Sequence, residues 1–138
     1  AQTRTGVTAL MQNCLEGNGG ITAQLLKSGA NADLVDFGGS TALMRSAARG
    51  HTFVSELLVR HGAQVDAQDE DEQTSALHEA SSNGHTKVVD LLLRSRASPV
   101  LINSAGFSAS QVAEEYGQEE CWRLLRAAEA IEQEAREQ

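Results

Sequence analysis

Four histidines, two cysteines, an acidic run and a cluster of glycines are the residues of this 138-residue chain with types suited to chemistry. Zinc needs ligands at helical or loop spacing, yet among His51, His61, His78 and His85 no two stand at i and i+4, and neither Cys14 nor Cys121 joins them at ligand spacing. The run Asp66-Ala67-Gln68-Asp69-Glu70-Asp71-Glu72 places five carboxylates in seven residues, a density that suggests calcium. It lacks the central glycine and the closing glutamate at the twelfth position that an EF-hand requires. Gly17-Asn18-Gly19-Gly20 has neither the preceding strand nor the lysine and hydroxyl residue of a phosphate loop. Catalysis requires a nucleophile, a base and an orienting group brought together, and nothing in the spacing does so. No active site, cofactor or metal is therefore expected.

What places these residues is a repeat. Thr41-Ala42-Leu43 lies 34 residues before Ser75-Ala76-Leu77, Thr8-Ala9-Leu10 lies 33 before that, and Ser108-Ala109-Ser110 lies 33 after. Gly17, Gly50, Gly84 and Gly117 keep the same interval, as do the leucine pairs at 25–26, 57–58, 91–92 and 124–125. A period of about 33 residues marks an array of helical repeats. Within one period, Ser75 is suited to cap a helix running to Asn83, and Gly84 to take the left-handed position that ends it. A second helix carries Val88, Val89, Leu91, Leu92 and Leu93, too many apolar residues for one narrow stripe. Such a helix must be buried on more than one side, which stacked neighbours supply.

Ser75-Ala76-Leu77-His78, Asn83-Gly84-His85 and Leu91-Leu92-Leu93, with Gly39-Ser40-Thr41-Ala42-Leu43, Gly50-His51 and Gly62-Ala63-Gln64-Val65-Asp66 one unit earlier, resemble the ankyrin repeat. The family pattern is a finger loop, G-x-T-P-L-H-x-A-A-x-x-G-H, a second helix ending in L-L, then G-A-x-V-N. The resemblance implies an all-α ankyrin-repeat solenoid of about four stacked helix-turn-helix units with projecting finger loops. One domain over residues 1–138 is expected, with units near 4–35, 36–68, 69–102 and 103–128 and a polar helical tail at 129–138. Under this pattern His78 is the histidine of T-P-L-H, His51 and His85 follow helix-ending glycines, and His61 precedes a closing Gly-Ala. All four then have structural roles.

Departures from the pattern carry their own expectations. The glycines at 17, 19 and 20 should shorten or loosen the start of the first unit's second helix. The second finger is one residue longer than the first. Arg96 stands where a glycine would relieve a left-handed turn. In the last unit Ser108 and Gln111 form a capping box, and Glu114, Glu115, Glu119 and Glu120 give it the polar face of a cap. Residues 127–138 are good helix formers dominated by glutamate and extend the last helix.

Composition narrows the partner. Aromatics are 4% and proline occurs once, so the core must be aliphatic and alanine-rich. A net charge of −8 and a pI near 4.9 argue against nucleic acid and anionic membrane surfaces and favour a protein with a basic segment. No apolar stretch approaches the 18 or so residues of a membrane span. Cys14 and Cys121 fit buried small hydrophobes in a reducing compartment, which points to an intracellular, cytoplasmic or nuclear home. The chain lacks a starting methionine and opens inside the repeat pattern, so a monomeric domain within a larger chain is expected.

The resemblance implies a concave groove, lined by finger tips and first helices, that binds other proteins. The groove position after the T-P-L-H slot is Gln12, Arg45, Glu79 and Val112 in turn, and the pairs before the helix-ending glycines include Ala48-Arg49, Ser82-Asn83 and Glu115-Tyr116. The expected partner-binding residues are Phe37, Ser40, Arg45, Arg49, Glu70, Asp71, Glu72, Glu79, Asn83, Phe107 and Tyr116. Arg45 and Arg49, four apart on one helix face, would grip a carboxylate together, with Arg45 pairing to Glu79 as the alternative; the groove would be bipolar. Phe37 and Phe107 on projecting loops either fold back or offer apolar anchors. The expected function is a non-enzymatic protein-protein interaction module; the alternative is a regulatory or targeting domain of a larger enzyme, channel or ubiquitin-ligase adaptor.

Overall fold

In the computed structural model, residues 7–137 are described; the first three residues of the expected opening unit, 4–6, fall outside them. Among the described residues the helices are α1 (Ala9–Glu16), α2 (Gly19–Lys27), α3 (Ala42–Arg49), α4 (Thr52–Arg60), α5 (Ala76–Ser82), α6 (Thr86–Arg94), α7 (Ala109–Glu115) and α8 (Glu119–Glu137). They pack in two layers. The first helices stack as α1 on α3 on α5 on α7, the second helices as α2 on α4 on α6 on α8, and each first helix also packs on its own second helix. This is the all-α solenoid that the period implied.

Local chemistry starts and stops each first helix. Thr8, Thr41 and Ser75 sit in extended backbone and accept the amides of Met11, Met44 and His78 at 3.1, 3.2 and 3.3 Å. At α7, Gln111 Oε1 accepts the Ser108 amide at 2.8 Å, the reach-back expected of that pair. Gly17, Gly50, Gly84 and Gly117 follow these helices at φ of +78°, +75°, +74° and +71°, the left-handed conformation that favours glycine.

The core runs the length of the array. Leu26, Leu58, Leu92 and Leu125, the second member of each leucine pair, are buried between the layers. Ala47, Ala80 and Ala113 are fully buried where helices approach closely. Ser110 takes the slot held by Leu10, Leu43 and Leu77 in earlier units and stays buried because its hydroxyl donates to Glu129 Oε1 at 2.6 Å. Glu129 also pairs with Arg126 within α8 at 2.9 Å, and it is the Ser110 bond that docks the extension of α8 on α7.

Histidines bind the units together. The Nε2–H of His51 donates to the Leu15 carbonyl at 2.9 Å, that of His85 to the Ala48 carbonyl at 3.0 Å, and Gln118 Nε2 takes the same role toward Ser82 at 3.1 Å. Each bond satisfies a carbonyl left open at the end of the preceding unit's first helix. His61, just past the end of α4, donates its Nδ1–H back to Leu57 O.

Two expectations need correction or completion. The glycine cluster does not shorten α2, which has nine residues like α4 and α6. Gly19 is instead a clearance: a Cβ there would lie 2.7 Å from the Phe53 ring of α4. At the other departure Arg96 adopts φ +70°, holding the turn that Gly29 and Gly62 make in earlier units. A side chain in that conformation costs about 1–2 kcal/mol. Arg96→Gly should therefore raise stability by about 1 kcal/mol after the added chain entropy of glycine is counted. Urea unfolding checks this, and an unchanged or lower midpoint would show that the arginine side chain compensates for its backbone.

Candidate functional site

The fingers are built on one repeated turn. Asp36 Oδ1 accepts the amides of Gly38 at 3.0 Å and Ser40 at 2.9 Å, and Asn103 Oδ1 accepts those of Ala105 and Phe107, both at 3.0 Å. In the longer middle finger Asp69 Oδ1 reaches one residue further, to Glu72 at 3.2 Å and Thr74 at 3.0 Å. Gln73 there adopts φ +53°, where the other fingers use Gly39 and Gly106. Neighbouring fingers are tied by backbone bonds, Glu70 N–H to Gly38 O at 3.0 Å and Ser104 N–H to Glu72 O at 2.8 Å. The groove wall is thus hydrogen-bonded from finger to finger.

This geometry divides the acidic run. Asp66 accepts the Ser98 amide at 2.9 Å, as Asp33 accepts that of Gln64 at 2.9 Å one unit earlier. Asp66 and Asp69 therefore shape the backbone. Glu70, Asp71 and Glu72 are exposed, and the ion pairs among the described residues involve none of them.

The basic side of the groove differs from expectation. Within the chain Arg45 is bound to Asp36 Oδ2, across the base of its own finger, and not to Glu79. Burial pushes the Asp36 carboxyl up, but the Ser40 amide, the Arg45 guanidinium and the Gly38 amide together hold it below the ordinary carboxylate range. Arg49 stays exposed, and Asn83 turns back to donate to the Glu79 carbonyl at 2.9 Å. One of the two expected groove arginines is thus paired within the chain.

Eight of the eleven expected site residues fall into two hollows. Phe37, Ser40, Arg45 and Asp71 line one, with Val7, Asp36 and Gly38; Phe37 is 71% exposed at its rim. Glu72, Glu79, Phe107 and Tyr116 line the other, of about 320 Å³, with Thr74, His78, Ser82, Asn103, Ala105, Val112 and Glu115. Phe37 and Phe107 were expected together at finger tips. Phe37 follows the turn residue Asp36, whereas Phe107 lies four residues past Asn103 at the base of its finger, so they serve different hollows. Arg49, Glu70 and Asn83 line neither. Asn103 and Ala105 were not anticipated, although Asn103 lies 34 residues after Asp69, which lies 33 after Asp36.

The second hollow has a distinct electrostatic character. His78 is held neutral: its Nδ1 accepts the Ser75 amide at 3.3 Å while Nε2–H donates to the Phe107 carbonyl at 2.9 Å. Burial lowers its pKa, against the raising effects of the Phe107 bond and the Asp69 charge. Beside it the Glu79 carboxyl is pushed up, first by burial and then by the charges of Asp69 and Glu72. Glu79 takes part in no ion pair among the described residues. Elsewhere, Cys14 and Cys121 are buried free thiols, and burial raises both, Cys14 to about 11, which leaves the thiols unreactive at neutral pH. No group of three His, Cys, Asp or Glu among the described residues is placed to hold a metal ion, and no helix among them is long and apolar enough to cross a membrane.

A family model described as ankyrin repeats (3 copies) matches residues 1–69, and one described as ankyrin repeats (many copies) matches residues 53–93. No curated protein matches the chain significantly.

Proposed function

The chain belongs to the ankyrin repeat family, a protein-protein interaction module, and we propose that it works as a non-enzymatic binding module whose groove receives a segment of a partner protein. The observation that carries this reading is the hollow between α5 and α7, closed by the second and third fingers. It exposes two aromatic rings, Phe107 at 40% and Tyr116 at 63%, beside the carboxylates of Glu72, Glu79 and Glu115, which form no ion pair among the described residues. Aromatic side chains at the centre of a concave surface are the usual anchors of interfaces. The finger-to-finger bonds preform that surface, so little ordering entropy opposes binding.

Selection of a displayed library of random linear peptides on the chain tests the reading. Peptides should enrich whose binding is lost in the Glu79→Lys/Tyr116→Ala variant, with its thermal melting unchanged. Absence of enrichment, or equal binding by the variant, would overturn the groove reading. Glu70→Lys with Asp71→Lys, exposed and outside the Glu79 hollow, should leave melting unchanged and slow the association of basic peptides by removing long-range attraction.

A further inference from the structure

Building on that groove reading, we propose that the hollow between α5 and α7 receives an arginine side chain of the partner, its guanidinium against Phe107 and Tyr116 and paired to the carboxylates of Glu79, Glu72 and Glu115. The repeat itself points to the occupant. Arg45 and Glu79 occupy the same position in successive units, and Asp36 and Asp69 the same finger position. In the earlier unit the chain supplies its own cation, and Arg45 is bound to Asp36. In the later unit that cation is replaced by a carboxylate, and Glu79 and Asp69 are left with like charge. The position whose charge is paired internally in one unit is thus left without a cation in the next.

The shape of the hollow selects the kind of cation. Glu72 comes from a finger, Glu79 from α5 and Glu115 from α7, so the carboxylates face the space from separate elements. No three of the described acidic groups converge closely enough to coordinate a metal ion, which disfavours a compact divalent cation. A guanidinium spreads its charge over a plane with five donors and reaches separated carboxylates at once. Its flat face also stacks on aromatic rings, whose faces attract cations. A volume of about 320 Å³ accommodates a long side chain but not a folded element.

The test is a titration of the isotope-labelled chain with N-acetyl-arginine amide, followed by amide chemical shifts. Saturable shifts are expected at Glu79, Phe107 and Tyr116, with none from the uncharged N-acetyl-citrulline amide. Glu79→Gln should weaken binding about fivefold and Tyr116→Ala about threefold, with thermal melting unchanged in each. Equal shifts from citrulline, binding insensitive to Glu79→Gln, or calcium chloride shifting these amides where the arginine compound does not, would overturn the assignment. Equal affinity for N-acetyl-lysine amide would overturn the choice of a guanidinium. Groove-binding peptides that carry no arginine would sink this inference alone, whereas a bound arginine compound with no enriched peptide would sink the peptide-groove reading alone.

Discussion

Leu92→Ala should lower the unfolding free energy by about 2–5 kcal/mol, the range for a leucine whose removal leaves a buried cavity. Leu92 is fully excluded from solvent on α6, which packs against α4, α5 and α8. The loss has two parts, the apolar transfer of the deleted atoms and the unfilled space that remains. Collapse into that space is restricted because α6 is held on both sides by neighbouring units. In an array each unit is stabilised by its interfaces, so the damage is also felt where α6 meets α4 and α8. Urea unfolding measures it. A loss below about 1 kcal/mol would mean that the layers repack around alanine, and that the leucine pair specifies register more than stability.

Gly50→Ala should cost about 2–4 kcal/mol, from a left-handed conformation that disfavours a side chain and from a collision. At φ +75° a Cβ would lie 2.6 Å from His85 Nδ1. The ring cannot retreat without giving up its bond to the Ala48 carbonyl at 3.0 Å. Gly117→Ala is the control. It has φ +71° but no atom within 4 Å of the added Cβ, so only the conformational cost of about 1–2 kcal/mol applies. The difference between the two measured losses isolates the contribution of the ring and its bond. Equal losses would show that the histidine contact between units adds nothing.

Much of the fold was legible because its signals are local and repeated. Thr8, Thr41 and Ser75 cap helices through bonds to residues three positions on, and the glycines after those helices take a conformation that sequence alone can anticipate. The repeat also foretold the place of His51 and His85, since each occupies the same slot in its unit. The function of Gly19 was not legible. Its clearance for Phe53 depends on a helix one unit away, so its three-residue cluster read as weakness.

The candidate site was legible in its composition and not in its pairing. Phe107, Tyr116, Glu72 and Glu79 were all expected at a groove, because exposed positions recur with the period. The partner of Arg45 could not be read, because a carboxylate gripped jointly with Arg49 and a pairing with Glu79 both fitted the spacing. The choice fell to Asp36, whose carboxylate is aimed by the Gly38 and Ser40 amides of a folded finger. Likewise, Ser110 in a leucine slot makes sense only once α8 brings Glu129 over it.

By itself the sequence determined the unit, its caps, its two-helix pattern and its stacking, because each of these rests on contacts within a few residues or on a hydrophobic surface that only a neighbour can cover. Tertiary structure alone decided which charges cancel and which face the groove. Whether a charge is paired depends on where a folded loop aims the opposing carboxylate, as the Gly38 and Ser40 amides aim Asp36. Asp36 therefore pairs with Arg45 in one unit, while Glu72, Glu79 and Glu115 leave the next hollow acidic.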